Sequence, residues 1–124
     1  MAVVPEFLIR RVYKKGSLKK IEEGICFQLK NILGPGFISG FNFIKFNEKI
    51  FNAKDVKFIT QGQTLNGENV SEENPISFRL GQEGTLILNN CECLQNGLNR
   101  IVIEIMNPEA GKVSVTIEDN YQES

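Results

Sequence analysis

Cys91, Glu92 and Cys93 form the chemical cluster that first asks for a test: residues two apart on a strand share a face, so the pair offers two thiolates to a soft divalent metal such as zinc. A tetrahedral structural site needs four ligands. Histidine is absent from all 124 residues and Cys26 is the one further thiol, so a carboxylate would have to complete the set. That shortage favours small apolar thiols packed in a strand or loop, with no metal and no cofactor. A disulfide from Cys26 to one of the pair is the remaining alternative.

Carboxylates are the next candidates. Glu22-Glu23, Glu72-Glu73 and Glu118-Asp119 are adjacent acids, but the two acids of a glycosidase flank a bond at roughly 5 to 9 Å, usually from separate strands. Neighbours in sequence are the wrong arrangement, and all three pairs read as solvated turn or terminal residues. Glu104, between Ile103 and Ile105, reads as a cross-strand partner for Arg100 or Arg79. Without histidine no conventional Ser or Cys triad can be assembled, and no Gly-rich phosphate loop or nucleophile elbow is present. No catalytic residue is assigned, and the chain is expected not to be an enzyme by itself.

Arg10, Arg11, Lys14, Lys15, Lys19 and Lys20 place six cations within eleven residues, opposed only by Glu6, Glu22 and Glu23. Such a segment attracts anions, phosphate backbone included. Gly40-Phe41-Asn42-Phe43-Ile44 is similar to the aromatic strand of cold-shock domains, where exposed rings stack bases, although the second aromatic motif of that family is lacking. Together these features define an alternative reading as a single-stranded nucleic-acid or polyanion binder.

The elements that must position these residues are strands. Ile25, Phe27 and Leu29 alternate with Cys26, Gln28 and Lys30, and Ile76, Phe78 and Leu80 alternate with Ser77 and Arg79. Ile101, Ile103 and Ile105 form the strongest such set, followed by Val113, Val115 and Ile117. Phe7 to Tyr13 reads as a first strand. Phe37 to Phe46 is apolar on both faces, with Phe37, Phe41 and Phe43 pointing one way and Ile38, Ile44 and Phe46 the other; Gly40 within it suggests a bulge or a close backbone approach. Gly34-Pro35-Gly36, Gln61-Gly62, Asn66-Gly67, Gln95-Asn96-Gly97 and Asn107 to Gly111 break the runs, with Asn66-Gly67 expected at φ above zero. Ser71 to Pro75 allows at most one helical turn, capped by Ser71.

Seven to nine short strands without a helix-length amphipathic segment predict an all-β fold. The expected form is an antiparallel β-sandwich, jelly-roll or immunoglobulin-like, with a small β-barrel as the alternative. Residues 1–124 read as one domain with a frayed tail from about Asn120. A formal charge of −1 with 23% charged and 41% hydrophobic residues excludes a polyelectrolyte or disordered chain. No secretory segment or membrane span can be drawn, and three cysteines without an export signal point to reduced thiols in the cytoplasm.

The stretch from Gly24 to Ile105 resembles a group of small prokaryotic all-β proteins that includes the β subunits of C-glycoside deglycosidases. The resemblance is carried by Leu33-Gly34-Pro35-Gly36, by Ile44-Lys45-Phe46-Asn47-Glu48-Lys49-Ile50 leading to Asp55-Val56-Lys57-Phe58, by Ile76-Ser77-Phe78-Arg79-Leu80-Gly81 with Gly84-Thr85-Leu86, and by Leu94-Gln95-Asn96-Gly97. It implies a β-sandwich that packs on a larger barrel-type subunit holding the metal and the sugar chemistry, and it transfers no catalytic residue. The expected function is therefore a non-catalytic accessory or protein-interaction subunit, or a homo-oligomer. Its surface is expected to include Phe37, Phe41, Phe43, Val102 and Met106.

Overall fold

The computed structural model describes residues 5–34, 36–90 and 92–122. Eleven strands follow one another: β1 Lys19–Ile21, β2 Gly24–Lys30, β3 Gly36–Ile38, β4 Gly40–Phe46, β5 Lys49–Phe51, β6 Val56–Thr60, β7 Gln63–Asn66, β8 Ile76–Phe78, β9 Glu83–Asn89, β10 Gly97–Asn107 and β11 Gly111–Tyr121. They form a five-stranded sheet in the order β1-β2-β9-β6-β7, a four-stranded sheet β11-β10-β4-β5 and a short β3-β8 pair, every pairing antiparallel. The fold is all-β, with no closed barrel.

Alternation explains the core. Ile25 and Phe27 of β2, Val56 and Phe58 of β6, and Leu86 and Leu88 of β9 face inward from one sheet; Ile44 and Phe46, Phe51, Ile101 and Ile103, and Val115 and Ile117 face them from the other. Each phenylalanine or leucine so buried contributes about 1.5–3 kcal/mol. Phe58 joins the layers, 6.3 Å from Phe41 and edge-on to Phe78 at 5.7 Å. Its ring lies over Gly84, where a Cβ would come within 2.2 Å of it, so this position on β9 admits no side chain.

Several local expectations change. Phe7 to Tyr13 is not a strand: Glu6–Ile9 is one α-helical turn (α1), continued as a 3-10 turn over Arg10–Val12. Pro5 enters it at φ −59°, and Glu6 and Arg10, four residues apart, meet as helical spacing requires, at 2.6 Å. Residues 71–74 close as a turn rather than a helix, with Ser71 Oγ accepting from the Asn74 N–H. The β6–β7 hairpin turns at Gln61-Gly62, whose φ values are +51° and +76°. Asn66 instead stays extended at φ −80°, and Gly67 is required because a Cβ there would meet the Ala53 carbonyl at 2.5 Å. The irregularity expected at Gly40 falls at Asn42, where the β4–β10 register shifts between Glu104 and Ile105. β11 does not fray at Asn120, which pairs with Leu98, while Tyr121 pairs with Gly97.

Candidate functional site

The bulge at Asn42 decides which side chains reach the outside of the four-stranded sheet. Glu104 lies opposite Phe43, but Ile105 lies opposite Phe41, so Phe41 turns into the core at 6% exposure while Asn42 and Phe43 stay outside. Phe41 is therefore removed from the expected interaction surface and from any role in stacking bases. Phe37, 49% exposed, belongs to the β3–β8 pair, beyond the β4–β10 register. Phe43, Val102 and Met106 share its outer face, and cross-strand register adds Ile50, which stands opposite Lys45, itself opposite Val102. Ile50 is 58% exposed. Its orientation was legible, since inward Phe51 forces its neighbour outward.

Charged and polar residues are interleaved with these apolar ones, Lys45 between Ile50 and Val102 and Glu104 opposite Phe43. Asn42 donates to Glu104 at 2.9 Å, and Arg100 pairs with Glu118 at 3.6 Å. The expected Glu104–Arg100 pairing is thus not made, because register sets Arg100 opposite Glu118 on β11.

Of the six cations, Arg10 is already paired. It is engaged with Glu6 and donates from Nε to the Thr116 carbonyl at 2.9 Å. The Arg10 bond, and after it the nearby Thr116 backbone, hold the Glu6 carboxyl below its usual range. Arg11, Lys14, Lys15, Lys19 and Lys20 are exposed, the last two along edge strand β1.

At the end of the sandwich where β10 begins, polar side chains are buried and fully used. Asn99 is 0% exposed; its amide donates to the carbonyls of Gln95 at 2.8 Å and Gly97 at 3.2 Å, and its oxygen accepts from Gln95 N–H and from Asn47. Asn47 donates in turn to the Cys93 carbonyl. Opposite Asn99, buried Asp119 accepts from the Tyr13 hydroxyl at 2.6 Å and from the Gly16 and Asn120 N–H groups. Burial and then this bond push the Tyr13 phenol well above its ordinary range. Burial also raises the Cys26 thiol, which makes a thiolate there scarce. Cys91, and with it the paired-thiolate reading, lies outside the described residues; among the described ones no three metal-ligating side chains come together.

At the other end, where β10 turns into β11, an apolar cleft of about 530 Å³ opens to solvent. Its walls include Leu29, Phe41, Phe58, Ile103 and Val113, and Ile9 and Val12 of the N-terminal turns line it as well. Asn31 and Asn107 stand at its rim. Asn31 donates to the Gly34 and Phe78 carbonyls, and Asn107 donates to the Phe37 carbonyl while accepting from Glu109 and Ala110 N–H.

No helix among the described residues is long and apolar enough to cross a membrane. A family model described as "Hydroxymethylglutaryl-CoA reductase, N-terminal domain" matches residues 8–122, a span from α1 to the end of β11. No curated protein matches the chain.

Proposed function

The chain belongs to the hydroxymethylglutaryl-CoA reductase N-terminal domain family, and on that premise we propose that it is a non-catalytic protein-interaction module serving a larger enzyme. The family takes its name from one domain of a reductase, and the likeness to C-glycoside deglycosidase β subunits likewise sets a small all-β unit beside a larger catalytic one. The observation that carries this reading is the outer face of the four-stranded sheet. There Phe43, Val102, Met106 and Ile50 alternate with Lys45 and Glu104, with the Arg100–Glu118 pair beside them. A face on which apolar side chains are interleaved with charges of both signs can dock a partner through contact area and charge pairing together. Among the described residues, buried Asp119, Asn99 and Asn31 use their side chains in hydrogen bonds that hold the fold.

The test compares the chain with its Val102→Glu and Ile50→Glu variants, tagged and cross-linked in the native cell. The expected result is one stoichiometric cross-linked product that disappears in both variants while their melting temperatures stay unchanged. Identical products from all three proteins, or turnover of hydroxymethylglutaryl-CoA or of a C-glycoside by the purified chain alone, overturn the reading.

A further inference from the structure

We propose that β11 is a dimerisation edge held in reserve by the Glu6–Arg10 ion pair. Two copies of the chain join β11 to β11, antiparallel about a two-fold axis, and their four-stranded sheets become one. β11 spans Gly111–Tyr121 and has a neighbouring strand, β10, on one side only. The Thr116 carbonyl accepts from Arg10 Nε rather than from β10, so it points away from the sheet. Main-chain direction alternates along an antiparallel pair, and Lys112, Ser114 and Glu118 therefore turn their N–H and C=O groups the same way. A long edge that presents such a row is a template for another strand.

The side chains select a second copy as the occupant. Lys112, Ser114, Thr116 and Glu118 follow one another along the outer face of β11, opposite Met106, Glu104, Val102 and Arg100. When β11 is laid antiparallel on itself with Val115 at the axis, Lys112 meets the partner's Glu118 and Ser114 meets the partner's Thr116, each pair made twice by symmetry. The same register sets Val113 against the partner's Ile117, so the inner apolar layer continues across the junction. With Ser114 or Thr116 at the axis instead, Lys112 meets the partner's Thr116 or the partner's Asn120, and both charge pairs are lost. Glu118 keeps one long contact with Arg100, at 3.6 Å, and its carboxylate can accept from a second cation. The edge is covered as it stands: α1 and the 3-10 turn after it lie beside β11, and Arg10 holds the Thr116 carbonyl that the partner's Ser114 N–H would need. Neither turn has a buried residue, and the Glu6–Arg10 pair is about half exposed, so a competing strand can displace it. Joined edge to edge, the sheets leave Phe43, Val102 and Ile50 uncovered, so this junction is separate from the docking face.

The experiment is sedimentation velocity of the full chain over a concentration series, alone and as Arg10→Ala, Arg10→Ala/Lys112→Glu, Arg10→Ala/Glu118→Lys and the variant carrying all three changes. The expected result is a monomer–dimer equilibrium that Arg10→Ala shifts towards dimer by about tenfold or more. Either charge reversal alone weakens the dimer by a similar factor, and the two together restore it, because the pairs re-form with their signs exchanged. If Arg10→Ala fails to fold, Glu6→Gln, which removes one charge of the ion pair, takes its place. No shift when the ion pair is cut, a dimer indifferent to the single reversals, a double reversal that does not restore pairing, or loss of the dimer on adding Val102→Glu overturns the proposal.

Discussion

The two ends of the sandwich solve the same problem with opposite means. Where β10 begins, Asn99, Asn47, Tyr13 and Asp119 fill the space between strands with polar atoms that satisfy one another. Where β10 ends, Asn31 and Asn107 tie their loops to the Phe78 and Phe37 carbonyls beside an apolar cleft that opens to solvent. One end is sealed by polar side chains bonded to one another, Asn99 to Asn47 and Tyr13 to Asp119; the other is lined by apolar ones, with its asparagines bonded to backbone. The first end carries stability, and the second is free to differ in shape.

Breaking the closed end should cost most. Asn99→Ala opens a gap at a fully buried position and takes a partner from the Gln95 backbone and the Asn47 amide, and it is expected to destabilise by about 3 kcal/mol in urea unfolding. Tyr13→Phe removes a hydrogen bond to a buried carboxylate and is expected to cost about 2 kcal/mol near neutral pH. It also tests the alkaline limb. Because the folded phenol holds its proton more tightly than the unfolded one, its contribution is complete below the ordinary value of 10.0 and is lost as pH rises beyond it. Wild-type stability should therefore fall above pH 10 more steeply than that of Tyr13→Phe.

At the open end, Asn107→Ala is expected to cost only about 1 kcal/mol, since its partners lie near solvent. A loss equal to that of Asn99→Ala would erase the contrast between the two ends. Val102→Glu, on the outer face, is expected to change stability by less than about 0.5 kcal/mol, and a larger change would mean that this face is structural rather than exposed for docking.

The β-character and the inward sets were legible because alternation reports directly which side chains leave water. Ile101, Ile103, Val115 and Ile117 are core as their period required. Phe41 was not legible, since one inserted residue at Asn42 reverses every later face of β4, and no residue type announces that insertion. The helical turn at Glu6–Ile9 left a weak trace, the four-residue spacing of Glu6 and Arg10, which the apolar run Phe7 to Ile9 overrode. Asn66-Gly67 shows the reverse hazard: a dipeptide suited to positive φ was placed for its missing side chain instead. The apolar cleft left no mark in the sequence, because its walls are the ordinary apolar residues of a core.

β11 is eleven residues long and forms the outer margin of its sheet. At its middle, the Thr116 carbonyl is occupied by the guanidinium of the Glu6–Arg10 ion pair, which takes the place of a neighbouring strand there. A truncation that deletes residues 5–12 would uncover a ribbon that identical copies can extend in slipped registers, and fibrillar growth seeded from this margin is the failure that the small N-terminal clasp guards against.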